Sequence, residues 1–184
     1  MRELWRRIEQ VLQRHAPETA ATLAPAASEQ DLAALEATIG IALPNDFRES
    51  LKVHDGQDDP TRCRPFTGDG LLLSTAEIAD RWKMLTEIEE GERTRGGPGY
   101  GPWWKTTCIP FTDADGNALC IDMDPGLNDR TGEVVCHVHD GEIERGIATS
   151  YRAWLSSLAD RLEAGRFEID EWGDLWPDRE VSPN

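Results

Sequence analysis

Apolar residues recur at Leu4, Trp5, Ile8, Val11 and Leu12, the spacing of one helix face, so residues 2–15 are expected to form an amphipathic helix. Pro17 and Pro25 bracket a connector. Ser28 with Asp31 three residues on reads as a capped helix start; Leu32, Leu35 and Ile39 form the apolar side, and Gly40 is the stop. Leu43-Pro44-Asn45-Asp46 opens a short third helix, with Phe47, Leu51 and His54 on one side and Gly56 as its end. A polar loop follows over residues 57–70, then a short apolar strand at 71–73. Ser74 and Glu77 form a second capping box, and Ile78, Trp82, Leu85 and Ile88 give a fourth helix. Residues 91–102 hold five glycines and two prolines, too many for a regular element, and a mobile excursion is expected there.

From residue 108 the period changes. Two apolar runs, 108–111 and 118–123, flank Asp115-Gly116-Asn117, a hairpin in which Gly116 and Asn117 are expected to take up positive φ. Residues 134–138 alternate as a third strand, and Asp140-Gly141 turns the chain into a fourth at 143–148. Ser150 caps a last helix carrying Tyr151, Trp154, Leu155, Leu158 and Leu162 inward, ended by Gly165. Helices first, then consecutive strands, then a helix describe an α+β fold: an antiparallel or mixed sheet of four to six strands, packed with the N-terminal helices and a C-terminal helix. One domain is expected over residues 1–168, followed by an acidic tail, 169–184, containing Trp172 and Trp176.

Composition narrows the function. With 39% hydrophobic and 29% charged residues, 184 residues are enough for one cored globular domain. No apolar run is long enough to span a membrane, and the N-terminus lacks a secretory pattern. Cys63, Cys108, Cys120 and Cys136 form no CxxC pair; three lie in expected strands as small hydrophobes, which points to a reducing, cytoplasmic setting. The net charge is −16. Residues 1–30 balance, whereas residues 110–145 hold nine acids against two arginines and residues 166–184 hold six against two. Such a surface repels nucleic acid and anionic membranes and attracts cationic partners.

Several motifs look like chemistry and are better read as structure. Asp113-Ala-Asp115-Gly-Asn117 begins like a calcium loop, but Ala118 and Asp124 occupy the positions that need Gly and Glu. His137 and His139 share a strand face at i and i+2 and could take a transition metal; a polar strand face is the simpler reading. Gly97-Pro98-Gly99-Tyr100-Gly101 has no strand before it or helix after it to aim at a phosphate. No nucleophile, P-loop or zinc signature is present, so no catalytic residue, metal or cofactor is expected.

The order of motifs resembles the SUKH superfamily, the group of fungal Smi/Knr cell-wall regulators and many bacterial toxin-immunity proteins. The resemblance is carried by the helix of residues 28–40, then Ile41-Ala-Leu43-Pro44-Asn-Asp46-Phe47, His54-Asp55-Gly56 and Leu71-Leu-Leu73-Ser74-Thr-Ala-Glu77-Ile78. It continues through Ile109-Pro110-Phe111, Gly116-Asn117, Cys120-Ile121-Asp122, Asp124-Pro125, Gly132-Glu133-Val134 and Ser150-Tyr151. It spans roughly residues 3–168; the family's usual Asn-Gly is here Asp55-Gly56, and both suit a turn.

The resemblance implies an α+β protein that acts by binding, without shared catalytic residues. The expected role is an immunity protein that neutralises a cognate, basic, nuclease-type toxin domain. The alternative is a regulatory scaffold binding cellular proteins, and a small-ligand binder is the third class. Acidic density beside aromatic anchors places the partner surface at Asp55, Asp58, Asp59, Trp103, Trp104, Asp113, Asp115, Asp122 and Asp124, on a monomer or dimer.

Overall fold

Helix α1 (Arg2–His15) turns Trp5, Ile8 and Leu12 inward, as its periodicity requires. The computed structural model describes residues 1–59, 64–94, 103–124 and 131–178. The expected connector contains a helical turn, α2 (Pro17–Ala20); proline suits a first helical position, where its missing N–H costs nothing. In α3 (Glu29–Ile39) the capping box is complete: Ser28 Oγ accepts from Asp31 N at 3.1 Å, and Asp31 Oδ2 accepts from Ser28 N at 3.0 Å. Gly40 closes it at φ 70°. Helix α4 (Asn45–Leu51) is shorter than expected: Val53 N bonds three residues back to Ser50 O, a tightened last turn that ends the helix before Gly56.

Ser74 and Glu77 cap α5 (Thr75–Thr94), which continues helically into the stretch expected to be irregular. The rest of that stretch, 95–102, lies outside the described residues. Strand β1 (Leu71–Leu72) pairs with β3 (Thr112–Asp113). Strands β2 (Cys108–Pro110), β4 (Ala118–Asp122), β5 (Glu133–His137) and β6 (Glu144–Ala148) form an antiparallel sheet in the order β2-β4-β5-β6. Helix α6 (Tyr151–Glu163) follows, with Ser150 Oγ accepting from Ala153 N. The fold is therefore the α+β arrangement expected.

The sheet is buried on both faces along β2 and β4, while the edge strand β6 stays largely exposed. Ile109, Leu119, Ile121 and Val134 join the main core with α1, α3, α4 and α6. Their neighbours Cys108, Ala118, Cys120 and Val135 face a second core with Leu85 of α5 and Trp104. Successive side chains of a strand point to opposite faces, so burial on both makes β4 apolar along almost its whole length. Trp5 Nε1 donates to Ser50 Oγ at 2.7 Å, and that hydroxyl lies 3.0 Å from Tyr151 OH, tying α1, α4 and α6 together inside the core.

The first hairpin turns one residue earlier than expected. Asp115 and Gly116 hold the positive φ values, 49° and 99°, and Ala114 and Asn117 pair across them. Asp tolerates this region better than most residues, and Asn117 instead accepts from His139 N through Oδ1. The connection from β5 to β6 is longer than a two-residue turn, and Gly141 is not in the left-handed region. Beyond α6, β7 (Phe167–Ile169) and β8 (Leu175–Pro177) form a hairpin, so the boundary expected after residue 168 falls within β7.

Candidate functional site

Residues 22–27 run beside residues 51–58. Ala27 N bonds to Leu51 O, Asp55 N to Pro25 O, Ala24 N to Gly56 O and Asp58 N to Thr22 O. Gln57 locks the seam: its Nε2 donates to Thr22 Oγ1 and Arg64 O, and its Oε1 accepts from Leu72 N. This pairing opens a groove of about 580 Å³ lined by Ala24, Pro25 and Ala26 on one side and by Asp55, Asp58, Asp59 and Glu77 on the other. A larger hollow of about 780 Å³ between α1 and α6 mixes Arg7, Arg14 and His15 with Glu163, and so lacks a consistent charge.

The groove brings together three of the acids singled out in the sequence, in three different roles. Asp55 is half-buried and caps α5 from outside: its Oδ1 accepts from Thr75 N at 2.7 Å and its Oδ2 from Thr75 Oγ1 at 3.0 Å. Burial pushes its pKa above the ordinary aspartate value, against the pull of those bonds. Asp59 is buried and accepts from Arg64 N, so it shapes the loop. Asp58 is the exposed one.

The other candidates do not join this groove. Asp113 ends β3 and Asp115 lies on the β3–β4 turn, which Arg81 of α5 holds through Asp113 at 3.4 Å and Gly116 O at 2.7 Å; of the two, only Asp115 is fully exposed. Asp122 is corrected from surface acid to core residue: it is completely buried, with Arg145 Nη2 2.6 Å from its Oδ2. Asp124 is partly exposed, 3.2 Å from Lys105. Trp104 is likewise buried, its Nε1 donating to Thr86 Oγ1, while Trp103 is half-buried and donates to His139 O. The tryptophans pack edge-to-face on His137, at 4.6 Å for Trp103 and 5.3 Å for Trp104, which is why they cannot both project as anchors.

The two histidines part company. β5 ends at His137, so the two-residue period stops there; His137 is 1% exposed and His139 lies on the surface. Neither ring nitrogen of His137 has a hydrogen-bond partner among the described residues, and burial, with Arg81 nearby, lowers its pKa to about 4. No cluster of three metal-binding side chains assembles among the described residues. Burial also pushes the Cys108 thiol up to about 12 and Cys120 well above its usual value, so both stay protonated and unreactive. No helix among the described residues is long and apolar enough to cross a membrane.

Sequence reasoning missed Pro25, Gln57 and Glu77 as groove residues. Pro25 read as a connector and Glu77 as a cap, which it is; nothing local announced that residues 22–27 would lie against 51–58.

Early helices, an antiparallel sheet sandwiched between two cores, and a closing helix define a SUKH-type α+β domain. Residues 26–157 match the profile of the SMI1 / KNR4 family (SUKH-1), and the chain belongs to that family. It is 29% identical over 192 residues to the cell wall biosynthesis/cell cycle regulator smi1 of Schizosaccharomyces pombe, covering 92% of this chain and 37% of that protein. It is 25% identical to the cell wall assembly regulator SMI1 of Saccharomyces cerevisiae, covering 92% and 42%. It is 38% identical to a KNR4/SMI1 homolog of Kluyveromyces lactis, covering 92% and 45%. The chain thus spans about two fifths of the length of these relatives.

Proposed function

We propose that this chain is a regulatory protein-binding domain, working by occupancy of a surface rather than by catalysis. The single observation that carries the reading is the match of over nine-tenths of the chain to relatives named as cell-wall regulators. That evidence favours the scaffold alternative over the toxin-immunity role first expected. The acid-lined groove supports it physically: a rigid, backbone-paired trough with carboxylates on one wall suits a cationic segment, and the protein's field speeds the encounter. The exposed Asp58 is the residue best placed to meet a partner, with Asp55 and Asp59 holding the walls.

The test is proximity labelling in living cells, comparing the native chain with Asp58→Lys. A defined set of proteins labelled by the native chain and lost from the variant supports the reading. Identical labelling by both moves the binding surface elsewhere, and labelling no richer than that of an inert control domain refutes a scaffold role. The acidic excess also suits capture of a basic toxin. Co-expression with the C-terminal domain encoded by a neighbouring gene, scored for rescue of growth, distinguishes that reading.

A further inference from the structure

The β7–β8 hairpin lies outside residues 26–157 and carries the most exposed large apolar side chain among the described residues. Trp172 is 73% exposed, Trp176 43% and Ile169 42%. The hairpin is nevertheless well anchored. Leu175 is buried in the main core, Arg64 Nη1 lies 3.2 Å from Asp174, and Arg161 Nη1 donates to Asp178 O at 2.6 Å.

Asp170 organises the exposed end. Its Oδ1 accepts from Trp172 N at 3.0 Å and Asp174 N at 2.9 Å, and its Oδ2 accepts from Trp176 Nε1 at 2.8 Å. One carboxylate therefore fixes the backbone that presents one indole and the ring of the other. These bonds, the Trp176 indole first, hold the carboxyl below its usual range. The Trp176 ring and the backbone that carries Trp172 are thus held in place before any partner arrives, which reduces the ordering cost of binding.

The charges beside the two indoles are mainly acidic. Exposed Glu168 lies directly opposite Trp176 in the strand register, and exposed Glu171 precedes Trp172; among the described residues after α6 the cation is Arg166, at the open end of the hairpin and away from the tip that carries Trp172. An indole face attracts a guanidinium or ammonium group, and neighbouring carboxylates add to that attraction. A second copy of this chain, an anionic membrane or a nucleic acid would bring like charge to the surface.

We propose that the β7–β8 hairpin is a docking surface for an arginine- or lysine-bearing segment of a partner protein, with Trp172 and Trp176 receiving the cationic side chains and Glu168 and Glu171 neutralising them. The proposal rests on the reading of the domain as a protein-binding module but uses a surface distinct from the acidic groove.

The experiment uses the full chain and a fluorescein-labelled peptide of alternating Arg and Ser, followed by fluorescence anisotropy, with the same peptide carrying Glu in place of Arg as control. The Arg peptide is expected to bind, and Trp172→Ala and Trp176→Ala each to weaken it about tenfold. Asp58→Lys, in the groove, is expected to weaken it far less. Trp172 is so exposed that its truncation is not expected to unfold the chain, which melting curves check. Trp172→Ala binding as tightly as the native chain overturns the proposal, and so does an Arg peptide bound no better than its Glu counterpart. Loss of binding in Asp58→Lys alone transfers the recognition to the groove, overturning the hairpin surface while leaving the module reading intact. Proximity labelling judges that reading separately.

Discussion

Arg145 Nη2 of β6 lies 2.6 Å from Oδ2 of Asp122, a carboxylate with no exposed surface, and Arg145 Nη1 reaches Glu133 at 3.2 Å. Asp122 Oδ1 accepts from Asp124 N, so the same side chain ties the end of β4 to the chain that follows. Removing the guanidinium leaves a buried carboxylate with a single described bond. Breaking a fully buried pair costs roughly 3–5 kcal/mol, but Arg145 is half exposed and water can partly replace it, so Arg145→Ala is expected to cost about 1–2 kcal/mol. Urea unfolding measures this. Arg145→Ala as stable as the native chain would show that the pair contributes nothing.

His137 makes stability depend on pH. Its pKa is lowered to about 4 in the fold, chiefly by burial, with the charges of Arg81 and His139 adding to the effect, against an ordinary value of 6.5. Between these values the unfolded chain binds a proton that the folded chain refuses. This contribution is therefore full above about pH 6.5, falls as pH drops towards 4, and is constant below. The span corresponds to about 3 kcal/mol. His137→Phe, which cannot titrate, is expected to flatten the curve in that window, leaving the slope contributed by carboxylates. Parallel urea midpoints for variant and native chain across pH 4–6.5 would contradict the assignment.

Gly56 sits at φ 75°, and a Cβ there would meet the Leu73 carbonyl carbon at 2.5 Å. Gly56→Ala is therefore expected to destabilise by at least about 2 kcal/mol, combining left-handed strain with a backbone clash. Gly146, at φ 81° with open space around it, is the internal control: alanine there bears only the conformational cost of about 1 kcal/mol. Thermal melts that rank the two variants equally would remove the close approach as the cause.

Asp55 and Asp58 separate structure from recognition. Asp55→Ala deletes the cap on α5 and is expected to cost about 1 kcal/mol, with Asp55→Asn recovering much of it through the remaining carbonyl acceptor. Asp58→Lys is expected to change stability by no more than about 0.5 kcal/mol while weakening partner labelling. Melting temperatures of the three variants check both statements.

The periodicities, caps and turn residues of this chain specify α1, α3, α5, α6 and the strands β1, β2, β4, β5 and β6, because each depends on residues within a few positions of one another; β3 and the β7–β8 hairpin, read as loop and acidic tail, were not legible in this way. Leu119 and Ile121 alternate with Ala118 and Cys120, yet all four are apolar, so a sheet covered on both faces was implicit but its coverings were not. The family resemblance too was carried by such local motifs. What only the tertiary structure decided were the long-range pairings: Asp55 with Thr75, Asp122 with Arg145, residues 22–27 beside 51–58, and His137 between two tryptophans. An aspartate's type says that it is charged. Whether that charge meets solvent, a helix N-terminus or an arginine depends on what distant chain folds against it, and this is why acids alike in sequence became a cap, a core ion pair and an exposed groove wall.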